Sequence, residues 1–201
     1  MIEEFFRAAQ EGDLVALNEH PELVNIRRDG ATALHLAAID GQLESARWLL
    51  EHGAILDAQD DEFGMSPAGW ANEKGRKEMV DFLLAQGASI VPFEAVAFGK
   101  LDRLQAFVAA DPSVLMSQHE WGGMVHTACI WGQREILDWL IAQGVNLTLR
   151  SQQGHTPLEI AERQAADGRS HTPIVTDQRK AELERDCALI AERLRRELHV
   201  T

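Results

Sequence analysis

The chain restates one motif, most fully between Asp29 and Leu56. There a turn at Asp29-Gly30 leads into Ala31-Thr32-Ala33-Leu34-His35-Leu36-Ala37-Ala38, with Gly41 closing a first helical segment. A second segment follows, ending Trp48-Leu49-Leu50, with a stop at Gly53. The closing pattern Ala-x-x-x-Gly recurs at Ala8/Gly12, Ala37/Gly41, Ala71/Gly75, Ala95/Gly99 and Ala128/Gly132, and ends at Ala161, where Ala165 takes the place of Gly. Successive alanines are spaced by 29, 34, 24, 33 and 33 residues, so the period shortens at the first and third joints. A small residue is needed where helices of adjacent repeats approach closely, and Gly permits the turn conformation that side chains resist. A helix pair of this size cannot bury its apolar face alone. The period therefore restricts the chain to a stack in which neighbours supply each other's core.

The motif resembles the ankyrin repeat. Thr32-Ala33-Leu34-His35 differs from the family's Thr-Pro-Leu-His signature only at Ala33. Gly154-His155-Thr156-Pro157-Leu158 is the best single match, with Glu159 in the His place, and Ser66-Pro67 keeps the same helix start, with Gly69 in the His place. The resemblance implies an all-α fold, an α-solenoid of six repeats whose helix-turn-helix pairs are joined by short β-hairpin loops. The repeats fall at approximately 1–25, 26–57, 58–90, 91–115, 116–148 and 149–201, in one domain. The first lacks the signature, as a terminal cap should. Second helices end near His20-Pro21 and Asp111-Pro112, because proline disfavours helix at the residue before it. Beyond Ala166 the stretch Asp167 to Pro173 has loop composition. A capping helix over about 177–198 then shows one apolar stripe of Leu183, Cys187, Ile190, Leu194 and Leu198, with Glu192 and Arg196 spaced for an ion pair.

A second-order repeat lies above the first. Pro21 and Pro112, like Trp48 and Trp139, stand 91 residues apart, and Ala71 and Ala161 stand 90 apart. Three repeats doubled to six account for this.

Composition narrows the function. Hydrophobic residues make up 45% and charged residues 25%, ordinary values for a folded protein, and no apolar run is long enough to span a bilayer. Acidic residues in Met1-Ile2-Glu3-Glu4-Phe5-Phe6 do not fit a signal peptide, and Cys129 and Cys187 form no CxxC pair. A cytoplasmic protein is expected. The net charge of −13 argues against nucleic acid and anionic membranes as partners. No G-x-S-x-G elbow, Walker loop or H-E-x-x-H occurs, so the chain is not read as an enzyme, and no cofactor is expected. His119, His126, Cys129 and His155 are the residue types of a zinc site, but His126 falls on the signature His and Cys129 on a small buried position. No metal is expected.

The resemblance implies that Thr32, Ser66 and Thr156 cap helices and that His35 and His126 bond between neighbouring loops. Trp48, Trp70 and Trp139 read as core. The family's concave face is lined by hairpin tips and by the two residues before each helix-closing Gly. This places Phe98, Ile130 and Trp131, with hairpin residues Phe63, Met65 and Trp121, toward a partner protein. Trp121 replaces a hairpin Gly and either meets the partner or packs inward. Asp57, Asp60, Asp61 and Glu62 crowd the second hairpin, as an acidic finger toward a basic partner patch or as a solvated loop. The expected function is protein–protein interaction without chemistry. The alternatives are a regulatory or inhibitory subunit of an enzyme, a self-associating scaffold and a small-ligand binding protein. The oligomeric state is expected to be a monomer or weak dimer.

Overall fold

The computed structural model describes residues 1–167 and 176–199, so the loop expected from Asp167 to Pro173 lies, beyond Asp167, outside the described residues. Contacts divide the chain into two compact units, Met1–Ser89 and Ile90–Thr201.

The first unit holds three helix pairs: α1 (Ile2–Glu11) with α2 (Leu14–Asn18), α3 (Ala33–Asp40) with α4 (Leu43–Glu51), and α5 (Pro67–Glu73) with α6 (Lys77–Ala85). Helix α3 is its centre, packed against α1, α4 and α5. Every residue from Ala33 to Ala38 is buried, which a helix tolerates only where alanines let three neighbours come close. Gly41 ends α3 at φ 75°, a left-handed conformation that costs glycine least. In the next residue Gln42, Nε2 donates to the Gln10 carbonyl at 2.9 Å, satisfying an acceptor that the end of α1 would otherwise leave open. Trp48 is half-buried, edge-on to Phe5 and stacked on His52 at 3.8 Å.

The second unit repeats the plan with α7 (Pro92–Ala97) and α8 (Leu101–Ala110), α9 (Met124–Trp131) and α10 (Arg134–Ala142), then α11 (Pro157–Asp167) and α12 (Asp177–Leu198). Gln133 Nε2 donates to the Ala97 carbonyl at 2.8 Å, the counterpart of the Gln42 bond. Helix α12 begins at Thr176, whose hydroxyl accepts from the Arg179 N–H, and covers α9, α10 and α11. Its stripe of Leu183, Cys187, Ile190 and Leu194 is buried, with Leu198 half-buried. Arg195 pairs with Glu162 on α11 at 2.6 Å, and the Cys187 thiol donates to the Cys129 carbonyl at 3.1 Å. The two cysteines, far apart in sequence, are therefore neighbours. Burial and the adjacent Asp186 push the Cys187 thiol up to about 12. One surface detail differs from expectation: Arg196 reaches the Glu192 carbonyl, not its carboxylate, and the ion pair of that turn joins Arg193 to Glu197.

Two inter-repeat loops form two-stranded antiparallel ladders: β1 (Arg27–Arg28) with β2 (Ala31–Thr32), and β3 (Gln118–His119) with β4 (Gly122–Gly123). The hairpins expected in the other loops are not strands, and the one over 57–65 has a different internal order. Among the described residues no helix is long and apolar enough to cross a membrane.

Candidate functional site

In the first unit the loop 57–65 is built around one carboxylate. Asp60 is only 5% exposed, and its oxygens accept from the N–H groups of Glu62, Phe63 and Met65 and from the Trp70 indole, at 2.7 to 3.0 Å. Burial alone would raise this carboxyl; the bonds from Phe63, Trp70, Met65 and Glu62 outweigh it and hold it below the ordinary 3.8. The acidic finger is therefore largely an internal scaffold. Asp57 accepts from the Ser89 N–H, and Asp61 pairs with Arg27 at 2.9 Å. Glu62 projects, without an ion pair among the described residues. Trp70 is not apolar core. It is half-buried, edge-on to His35 at 5.2 Å, and its indole N–H serves the loop.

This turn leaves Phe63 62% exposed at its tip. Met65 is half-buried and lies over Gly69, so that a Cβ on Gly69 would sit 3.2 Å from the Met65 methyl. The Met65 carbonyl accepts from His35 Nε2 at 3.1 Å, while His35 Nδ1 accepts from the Thr32 N–H. His126 repeats this bond in the second unit, Nδ1 to the Gly123 N–H and Nε2 to the His155 carbonyl, each at 3.1 Å. Both rings are thereby fixed as neutral tautomers, and burial lowers the pKa of each. The two loop-bridging histidines behave as the resemblance implies. Ser66 and Thr156 each accept from the N–H three residues on.

In the second unit the decisive feature is the β3–β4 turn. Its counterpart in the first unit, Asp29-Gly30, has positive φ at both positions, 51° and 81°, the geometry that favours Asp-Gly. The Gly30 carbonyl accepts from the Asp61 N–H, and a Cβ on Gly30 would lie 2.9 Å from that of Asp61, so position 30 is closed. In Glu120-Trp121 neither residue has positive φ; the left-handed residue is instead Gly122, at 109°. This shift lets a tryptophan occupy the tip, and Trp121 is 53% exposed. Of its two readings, inward packing is the one the structure rules out. His119 holds the turn: Nδ1 accepts from the Trp121 N–H at 3.0 Å, Nε2 lies 3.2 Å from the Thr127 hydroxyl, and the ring stands edge-on to Phe93.

Phe98 follows α7, and Ile130 and Trp131 end α9; all three are half-buried. Thus Trp121 projects from the hairpin, while these three sit at the ends of first helices in the same unit. Residue types mark Asp60 as part of an acidic finger and His119 as a metal-ligand type, whereas the two shape the aromatic tips. An Asp two and three residues before the N–H groups it caps is the signal for the first; for the second, none was available.

Residues 5–94 match the family model described as ankyrin repeats in three copies. Residues 5–94 belong to the ankyrin-repeat family. A chain of the complex between the Bd0816 predatory endopeptidase of Bdellovibrio bacteriovorus and the immunity protein Bd3460 superimposes with a TM-score of 0.60 at 19% identity, covering 92% of this chain and 97% of that one. The human ASB11 ankyrin repeat domain gives 0.56 at 23% identity, covering 92% and 81%. At such identities the likeness is one of fold. Among curated relatives, the transient receptor potential cation channel subfamily A member 1 homolog of Caenorhabditis elegans is 33% identical over 148 residues, 69% of this chain and 12% of its own length. The mouse ankyrin repeat and SAM domain-containing protein 6 is 42% identical over 74 residues, 36% of this chain and 8% of its own. The chain thus spans about a tenth of the length of these relatives.

Proposed function

We propose that this chain is a non-catalytic protein-interaction module that engages a partner protein through its aromatic loop tips and first-helix ends. The observation that carries this reading is Trp121. A hairpin that elsewhere uses Asp-Gly has been rebuilt so that an indole stands in solvent, held by His119 through a backbone bond. Large aromatics dominate interface energies, and a tip with a fixed backbone has lost its entropy before binding. Phe98, Ile130 and Trp131 supply apolar area in the same unit, on the side that the family resemblance makes concave. Phe63, beside Met65, Asp61 and Glu62, supplies a separate anchor in the first unit.

A small-ligand role finds less support. The cavity beside the second hairpin, lined by Leu115, Met124, Val125, Val145 and Leu149 among others, measures about 90 Å³, and neither Trp121 nor Trp131 lines it. Pockets that enclose drug-sized molecules are several times larger, roughly 300–1,000 Å³. Capture from native extract with the wild-type chain, compared with W121A, F63A and the F98A/W131A pair, tests the proposal. Loss of the captured partner in W121A is the expected result. Undiminished recovery by all three variants would refute it.

A further inference from the structure

A second surface lies on the opposite helices of the last two repeats, where no part of the proposed loop site reaches. Helices α10 and α12 run side by side and enclose a cavity of about 140 Å³. Its floor is apolar, with Leu137 and Ile190 buried and Leu189 37% exposed. Its rim carries Arg134, Arg193 and Arg196, with Asp138 between them. Leu189, Arg193 and Arg196 fall at i, i+4 and i+7 on one stripe of α12, so an exposed apolar residue and two guanidiniums face the same channel.

The ion pairing leaves these arginines unequal. Asp138 stands four residues after Arg134, the spacing at which a helix pairs opposite charges. Its carboxylate instead accepts from Arg193 Nε at 2.9 Å, and Arg193 also holds Glu197. Arg134 is left without a carboxylate among the described residues, and Arg196 spends only its Nε, on the Glu192 carbonyl. Both side chains belong to exposed residues. In a chain with 32 acidic and 19 basic residues, two guanidiniums without counter-charge on one apolar rim are out of keeping with the surface around them.

We propose that this groove docks an acidic segment of a partner protein, its carboxylates taken by Arg134 and Arg196 and an adjacent aliphatic side chain covering Leu189. Charge complementarity selects this occupant. Guanidinium forks match planar carboxylates in two-point contacts. Nucleic acid, the other anion that an arginine rim could take, gains nothing from the leucine floor, whereas an aliphatic side chain between two carboxylates does. A cavity this small suits one side chain and not a whole small molecule.

Amide shifts of the isotope-labelled full chain, titrated with acetyl-Glu-Leu-Glu-amide, test this. Shifts should concentrate in residues 134–138 and 186–197 and saturate at millimolar peptide. Acetate and the Lys-Leu-Lys peptide should leave those residues unmoved, and Glu-Ala-Glu should bind more weakly. The R134Q/R196Q variant should bind at least about tenfold more weakly with an unchanged melting temperature, because both substituted side chains are exposed. R134Q alone, whose side chain holds no internal partner, should show part of that loss. No shifts with Glu-Leu-Glu, equal shifts with acetate, or undiminished affinity in both variants would overturn the proposal.

Discussion

At the scale of single residues, four buried or half-buried groups do most of the specifying. Asp60 takes four donors, and no other acceptor of the loop replaces it, so Asp60→Ala leaves three N–H groups and an indole to find water. A loss of about 2–4 kcal/mol in urea unfolding is expected. Asp60→Asn, which keeps an acceptor but drops the charge, should cost less. His35, His119 and His126 are each lowered below the ordinary 6.5, chiefly by burial. The unfolded chain therefore takes up protons before the folded one does. Stability is complete above about pH 6.5 and falls as pH drops below it, toward the lowered folded values. The melting temperature should be flat from about pH 8 to 7 and decline toward pH 5, and H35Q/H126Q should flatten that decline. A melting temperature that rises on acidification would contradict the neutral tautomers.

At the scale of elements, the β3–β4 turn is the least tolerant. Gly122 combines φ 109° with a Cβ position 2.5 Å from the His126 ring, so Gly122→Ala is both strained and obstructed. About 1–3 kcal/mol of backbone strain is expected before any displacement of His126, read as a lowered urea midpoint and a loosened Trp121. Leu194 on α12 is fully buried, and Leu194→Ala should cost about 2–5 kcal/mol, read as a lowered urea midpoint. Of these two elements, only α12 was legible in the sequence. The stripe of α12 is a matter of spacing, and spacing survives without a neighbour to pack on. The β3–β4 turn is not: that Trp121 points outward follows from a residue of positive φ having moved by one position, which depends on backbone conformation that side-chain identity under-determines. The contact between Cys187 and Cys129 was illegible for a related reason, since 58 residues separate them.

At the scale of the whole molecule, the 91-residue echo proves structural as well as textual. His35 and His126, Gln42 and Gln133, and the two ladders beginning at Arg27 and Gln118 hold matching places in their units. The net charge of −13 belongs to this scale too. Exposed ion pairs contribute at most about 1 kcal/mol each, and the summed repulsion is screened by salt. Melting temperature should therefore rise modestly as sodium chloride increases from near zero to physiological strength; a fall would mean the pairs outweigh the repulsion. The repeats were legible because every copy votes on the pattern, whereas Asp60 and His119 each occur once and have nothing to be compared with. That difference bears on ancestry. If three repeats doubled to six, each part had a copy to spare: the turn at Gly30 is closed by its neighbour Asp61, while its counterpart at Trp121 stands in solvent. With the positive φ at Gly122 and not at 121, any L-residue fits position 121, so the tip can change its side chain, and with it what it recognises, at little cost to folding.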